Sequence, residues 1–212
     1  IAEFFAAADI IILEGYGLSE TSPVLTANAP GNIRFGSVGK PLFNIDIKIA
    51  DDGEILAKGP SIMTGYFNND EATHEAIDSD GWFYTGDIGH LDDEGYLFIT
   101  DRKKNILVTS GGKNVAPAPM ENAMANSPYI EQSVVIGDNR NFISALIVPS
   151  FEAVENYLME RGNTAKENGD IIQDPDVISL IEEEVDTAMK SFSNYERVKE
   201  FELLPRLFTL EK

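Results

Sequence analysis

Residues Phe43-Asn44-Ile45-Asp46-Ile47-Lys48-Ile49 alternate apolar and polar side chains without a break. A period of two puts every second side chain on one face, so this stretch can bury a face only as a strand. Asp51-Asp52-Gly53 supplies a turn, and Glu54 to Lys58 can return beside the first strand. The surrounding sequence is punctuated in the same manner. Trp82 to Thr85 and Tyr96 to Thr100 are further short strand candidates, the second following the turn residues Asp92-Asp93-Glu94-Gly95. Ile10 to Leu13 is an apolar run of strand type, broken by Gly15-Tyr16-Gly17, and a Pro-, Gly- and Asn-rich loop is expected through Gly39. Ala2 to Ala8 and Asn69 to Ile77 are the helical candidates of this half.

Past Asp101 the pattern changes. Asn105 to Thr109 reads as a strand, with Gly111-Gly112 as punctuation, and Pro119 to Ala125 as a short helix with Met120 and Met124 on one face. Two β-branched runs, Glu131 to Gly137 and Phe142 to Pro149, are predicted to pair as a hairpin or neighbouring strands. Phe151 to Glu160 is predicted helical. A longer helix is marked by Asp174 as N-cap, Pro175 at the first helical position, and Val177, Ile181, Val185, Ala188 and Phe192 at three- and four-residue spacing. Glu182, Glu183 and Glu184 fall on its solvated face, and Val198 to Leu204 is a last strand. The reading is an α+β chain of two units, residues 1–100 β-rich and residues 101–212 α+β. Asp101-Arg102-Lys103-Lys104 lies at the change and is the densest cationic cluster in the sequence.

Charge excludes several functions. Sixteen Lys and Arg against 36 Asp and Glu give a formal net charge of -20. That field disfavours non-specific binding to nucleic acid or to an anionic membrane face, but not a small anion held by backbone N–H groups. Cysteine is absent, which removes disulfides, thiolate nucleophiles and Cys-ligated metals. The two histidines, His74 and His90, have no metal-ligand spacing and cannot assemble a Ser-His-Asp group convincingly. No apolar run approaches the roughly 18 residues of a membrane span. The opening stretch has no basic n-region and does not begin with Met, so the chain reads as a cytoplasmic piece of something longer.

Three stretches carry chemistry. Gly15-Tyr16-Gly17-Leu18-Ser19-Glu20-Thr21 offers close backbone approach to a flat ligand, then a carboxylate and hydroxyls for a metal ion and phosphate oxygens; the alternative is a strand junction around a half-buried Tyr. In Gly81-Trp82-Phe83-Tyr84-Thr85-Gly86-Asp87-Ile88-Gly89 a lone carboxylate between glycines could accept both hydroxyls of a ribose, while Trp82 and Phe83 read as core. Ser110-Gly111-Gly112-Lys113 superficially resembles a phosphate cradle without the full P-loop spacing, and a Gly-rich hairpin end fits as well.

In their order along the chain these motifs resemble the adenylate-forming superfamily, most closely the AMP-forming acyl-CoA synthetases of long-chain fatty acid type. The resemblance rests on YGLSETSP (Tyr16–Pro23), GSVGKPL (Gly36–Leu42), GEILAKGPSIMTGYFNN (Gly53–Asn69), GWFYTGD (Gly81–Asp87) and DRKKNILVTSGGKNVAPAPME (Asp101–Glu121). It implies a barrel-like β subdomain from the end of the large N-terminal domain, left partly uncovered, followed by the small mobile C-terminal domain. It further implies that Asp87 binds the ribose hydroxyls of ATP and of the acyl-adenylate. Tyr16 would lie against adenine, Thr21 near the α-phosphate, and Glu20 on Mg²⁺. Gly15 and Gly17 would leave room for acyl and adenylate groups, Ile99 would join the nucleotide contacts, and Arg102 would reach the ribose or phosphate side. Asp101 would be the hinge, and Gly111 and Gly112 would line the path of coenzyme A.

Fatty acid, ATP and coenzyme A are the implied substrates, with no nucleic acid partner and no integral membrane segment; peripheral membrane contact of the intact enzyme stays open. The family's Pro-Lys-Gly phosphate loop and its C-terminal catalytic lysine do not appear in this sequence. Lys212 does not match the lysine's local pattern, so the chain alone is expected to be inactive. A fatty acyl-AMP ligase serving a carrier protein, an enzyme for a different acid substrate, and a non-catalytic adenylate-binding or protein-interaction fragment are the other readings.

Overall fold

The computed structural model describes residues 2–162 and 167–209. They divide into two compact units, with the boundary in the chain between Lys104 and Asn105. Helix α1 (Ala2–Ala6) opens the first unit. Strands β1 (Gly15–Gly17), β2 (Val24–Ala27) and β3 (Lys40–Pro41) make one antiparallel sheet in that order. A second antiparallel sheet runs β4 (Asp46–Ile49), β5 (Glu54–Lys58), β6 (Phe83–Leu91) and β7 (Leu97–Arg102), with helix α2 (Asp70–Ala76) in the connection before β6. The sheets are joined through the segment before β3. Val38 N–H donates to Leu97 C=O at 2.8 Å, and Leu97 N–H donates to Gly39 C=O at 2.9 Å. These bonds curl the first unit into a half-barrel, in agreement with the barrel-like subdomain expected from the motifs.

The alternating hairpin forms as read, with Ile47 opposite Ala57 and Ile49 opposite Ile55. It starts later than the alternation does. Asn44 takes a left-handed φ of 65°, so Phe43 lies before the strand and is almost fully exposed. Two other expectations need correction. Ile10 to Leu13 is not a strand; it pairs with no ladder among the described residues, and Ile10, Ile11 and Leu13 are exposed. Gly15-Tyr16-Gly17 does not break a strand but is one, because Tyr16 finds its ladder partner in Thr26 across a hairpin whose return strand, β2, lies in the expected loop.

In the second unit, β8 (Leu107–Val108) and β9 (Asn114–Val115) form a small hairpin. Helix α3 (Pro117–Met124) follows, then β10 (Ile130–Ile136) and β11 (Ile143–Pro149) as an antiparallel pair. Helices α4 (Phe151–Glu160), α5 (Asn168–Ile171) and α6 (Pro175–Ala188) carry the chain back to β12 (Val198–Leu203), which joins β11 in parallel. Such a parallel return needs a crossover of this length. Asp174 caps α6, its side chain accepting from the Asp176 N–H, and Pro175 stands at the start where its missing N–H costs nothing. The stripe read from the sequence turns Val177, Ile181 and Val185 inward; with Met120 and Met124 of α3, Val154 and Leu158 of α4, and Ile143 and Ile147 of β11 they form one core.

Candidate active site

Strand β6 carries the Thr-Gly-Asp sequence and departs from a regular ladder there. Glu54 of β5 opposes Ile88, yet Leu56 opposes Tyr84, so β6 carries extra residues between these pairs. Side chains take over the lost backbone bonds. The Thr85 hydroxyl donates to Ile55 C=O at 2.7 Å and accepts from the Asp87 N–H at 3.1 Å. The Gly86 N–H donates to Glu54 Oε1 at 2.9 Å. Gly86 itself has a φ of 73°, which a side chain would resist. The motif is thus a stitched bulge: Thr holds it, Gly permits it, and Asp is what it presents.

Asp87 is therefore part of a strand and only 3% exposed, not the lightly packed loop carboxylate its glycine neighbours suggest. Its Oδ2 accepts from the Tyr16 hydroxyl at 2.5 Å, and its Oδ1 is 2.7 Å from Arg102 Nε. A second bulge produces the Arg102 contact. From Leu91 and Leu97 inward the β6–β7 ladder runs through Gly89 opposite Ile99, then skips Thr100 so that Ile88 opposes Asp101 and Asp87 opposes Arg102. Without the skipped residue, two carboxylates, Asp87 and Asp101, would face each other. The Thr100 hydroxyl holds the bulge by donating to Ile88 C=O at 3.2 Å. The structure thus brings Tyr16, Asp87 and Arg102 together. Burial first, and then the hydrogen bond to Asp87, push the Tyr16 phenol well above its ordinary range.

The remaining predicted residues of this unit lie around the cluster or explain themselves locally. Gly17 is needed by the chain: a Cβ there would fall 1.6 Å from Pro23 O, and at Gly15 3.1 Å from Thr26 O. Thr21 is fully buried and its hydroxyl serves its own turn, accepting from the Leu18 N–H at 2.9 Å with Pro23 C=O 2.7 Å away as acceptor. Glu20 accepts from the Tyr66 hydroxyl at 3.1 Å, and its C=O accepts from the Met63 N–H. Tyr66 was not singled out in the sequence, although it lies in one of the quoted motifs; desolvation and then Glu20 push its phenol upward. Ile99 is half-buried across from Gly89. Asp101 is buried in β7, ahead of the boundary at Lys104. Phe83 is core as expected, whereas Trp82 is only half-buried, its ring face covered by Lys48 at 4.0 Å and Lys58 at 5.8 Å. Its removal should therefore cost less than the roughly 3–5 kcal/mol of a fully buried ring.

In the second unit, Gly111 and Gly112 sit at the exposed tip of the β8–β9 hairpin, where a Cβ at Gly112 would meet nothing. The tip is fixed at its base by the Ser110 N–H donating to Arg140 C=O and the Ser110 hydroxyl to Asn141. Lys212 lies outside the described residues.

A cationic clamp borders the cluster. Lys103 Nζ is 2.7 Å from both Asp52 Oδ2 and Glu54 Oε2. Asp52 foremost, then Glu54, push its ammonium from 10.5 to about 12, and Lys103 in turn lowers Asp52. A raised ammonium stabilises the fold fully below 10.5 and loses that contribution as pH climbs through about 12. Lys103→Met should accordingly lower the denaturation midpoint at pH 9 and narrow its gap to wild type near the alkaline end. Denaturant melts across that range measure it; a gap independent of pH would contradict the clamp.

The AMP-binding enzyme family matches residues 1–67, and the AMP-binding enzyme C-terminal domain matches residues 104–205. The chain belongs to the AMP-binding enzymes. The long-chain-fatty-acid--CoA ligase FadD15 of Mycobacterium tuberculosis is 44% identical over 210 residues, 99% of this chain and 35% of that protein. The long-chain-fatty-acid--CoA ligase ACSBG1 of Rattus norvegicus is 42% identical over 150 residues, 68% of this chain and 21% of that protein. Among solved structures, the O-succinylbenzoate coenzyme A synthetase MenE of Bacillus subtilis, in complex with ATP and magnesium ion, matches with a TM-score of 0.69 at 27% identity over 97% of this chain and 40% of that one. This family member thus spans little more than a third of the curated relative FadD15. Among its described residues no helix is long and apolar enough to cross a membrane, and no three His, Cys, Asp or Glu side chains are grouped to hold a metal ion.

Proposed function

We propose that the Tyr16–Asp87–Arg102 cluster is the ribose-binding part of a site at which ATP activates a long-chain fatty acid for transfer to coenzyme A. The fatty carboxylate attacks the α-phosphorus and gives acyl-AMP and pyrophosphate; the coenzyme A thiol then attacks the acyl carbonyl and releases AMP. One observation carries the reading. Asp87 is a buried acceptor whose two oxygens each spend one lone pair, on Tyr16 and on Arg102. A carboxylate has about four acceptor positions, which leaves capacity for a pair of ribose hydroxyls. Arg102 is the exposed member, its side chain 55% accessible, so a ligand reaching Asp87 displaces or shares the guanidinium and can keep it at a phosphate.

The other roles follow on the same reading. The half-buried Tyr16 ring borders adenine, Ile99 and the Gly15–Gly17 strand line its surroundings, and Gly111 and Gly112 lie on the coenzyme A path. Asp101 is the hinge residue. Thr21 reaches the α-phosphate only by giving up an acceptor in its own turn. Glu20 is a single carboxylate held by Tyr66, which suits Mg²⁺, an ion that usually takes one or two carboxylates and completes its shell with phosphate oxygens and water. Bound there, Mg²⁺ would supply charge neutralisation at the phosphates. The tight Asp92–Gly95 turn between β6 and β7 favours coenzyme A over a carrier protein as acceptor, since the carrier-linked relatives usually have an insertion before the hinge. Amide NMR of the chain titrated with AMP tests the placement. Shifts are expected first at Tyr16, Gly86, Asp87 and Arg102; shifts that leave these four unmoved would overturn it.

A further inference from the structure

Glu54 is a charged side chain almost wholly removed from water, 4% accessible, on a strand whose next three members, Ile55, Leu56 and Ala57, are apolar core. A carboxylate in that position is tolerated only if it is paired and hydrogen-bonded. Its two oxygens do different things. Oε1 accepts from the Gly86 N–H at 2.9 Å, and Oε2 accepts from Lys103 Nζ at 2.7 Å. Gly86 immediately precedes Asp87, and Lys103 immediately follows Arg102. We propose that Glu54 is a positioning residue of the nucleotide site, a single buried carboxylate that fixes β6 just before Asp87 and β7 just after Arg102.

The two bulges explain why such a device is needed. A regular sheet would hold Asp87 by backbone bonds to β5 and β7 and Arg102 by bonds to β6, but β6 swells between Tyr84 and Ile88 and β7 slips at Thr100. Thr85 secures the β5 side of the swelling and Thr100 the slip. Neither reaches Gly86 or the residue after Arg102. Glu54 reaches both, and Asp52 shares Lys103 from the rim at 2.7 Å, keeping the ammonium close at hand. Gly86 is also the residue at φ 73°, so the acceptor beneath its N–H selects the conformation from which Asp87 emerges. The consequence for ligand affinity rests on the nucleotide reading above; the consequence for the Asp87–Arg102 geometry does not.

The test uses the 212-residue chain without ligand and then with AMP. In the ligand-free spectrum the Arg102 Nε–H signal reports the contact with Asp87, and the Gly86 amide reports its acceptor. Glu54→Gln keeps an acceptor for Gly86 and loses the anion facing Lys103. It is expected to leave the Gly86 amide near its wild-type shift while broadening or losing the Arg102 Nε–H signal. Glu54→Ala removes both of its bonds, so it should move both signals and, by misplacing Asp87, weaken AMP binding about tenfold, the scale of one charge-assisted hydrogen bond to the ligand. Asp52→Asn, which leaves Glu54 on Lys103, should move neither signal appreciably. A merely structural Glu54 would shift Gly86 and Arg102 together in every variant or leave both alone. A folded Glu54→Ala chain with the wild-type Arg102 signal overturns the proposal. Should that variant not fold, Lys103→Met decides: an Arg102 signal unchanged in it overturns the proposal, and its loss supports it. If the wild-type chain shows no saturable AMP binding, the nucleotide reading fails, while the ligand-free Arg102 and Gly86 signals still decide the positioning claim.

Discussion

Asp87→Ala should nearly abolish nucleotide binding and also cost the first unit stability. Two charge-assisted hydrogen bonds to ribose are at stake, each about 1.5–3 kcal/mol, which amounts to roughly a hundredfold or more in affinity. The stability cost arises because Asp87 accepts from a half-buried phenol and pairs with a guanidinium. Leaving the Tyr16 hydroxyl without its acceptor costs about 1–3 kcal/mol. Titration calorimetry with AMP and denaturant melts of the same variant separate the two losses. Asp87→Asn keeps the shape and one acceptor, so it should retain more stability than Asp87→Ala while still binding AMP poorly. Equal affinity for AMP in wild type and Asp87→Asn would remove the carboxylate from the site.

Ile147→Ala should have the largest effect on the second unit. Ile147 is fully buried on β11, opposite Ser133 on one side and Leu203 on the other, and packs in the core that α3, α4 and α6 share. Truncating a side chain so enclosed costs about 2–5 kcal/mol, a large part of the stability of a unit this size. The first unit has a separate core, built on Leu25, Ile45 and Ala57, and should be spared. Trp82, the chain's one tryptophan, reports on the first unit alone. Its fluorescence transition should stay at the wild-type midpoint while the circular dichroism of the helices shifts to lower denaturant. A matching shift in both signals would show that the units unfold as one.

What the sequence made legible was whatever local periodicity and turn chemistry decide. The Ile45–Ile49 alternation, the Asp174-Pro175 helix start and the Met120–Met124 face all need only neighbours in sequence to be read. Bulges are different. The swelling in β6 and the slip at Thr100 depend on which residue lies opposite, so Asp87 reads as a loop residue from its glycines although it is buried in a ladder. For the same reason the sequence names Tyr16, Asp87 and Arg102 as candidates but gives no sign that one carboxylate joins the other two. Glu54 was legible as a strand residue only; a charged side chain inside the alternation-poor run Glu54-Ile55-Leu56-Ala57 was the available signal. Tyr66 gave no signal beyond its motif, because its partner Glu20 is distant in the chain and the contact exists only after folding.

Recognition of ribose by Asp87 is tested most directly by a comparison of two ligands. Wild-type chain and Asp87→Asn are each titrated calorimetrically with AMP and with its 2′,3′-dideoxy analogue, which keeps the base and the phosphate. Wild type should prefer AMP by at least about tenfold, as expected for hydroxyls bonded to a charged acceptor, and Asp87→Asn should lose most of that preference. A wild-type chain that binds the two ligands equally, or an Asp87→Asn chain that discriminates between them as well as wild type does, would contradict the assignment.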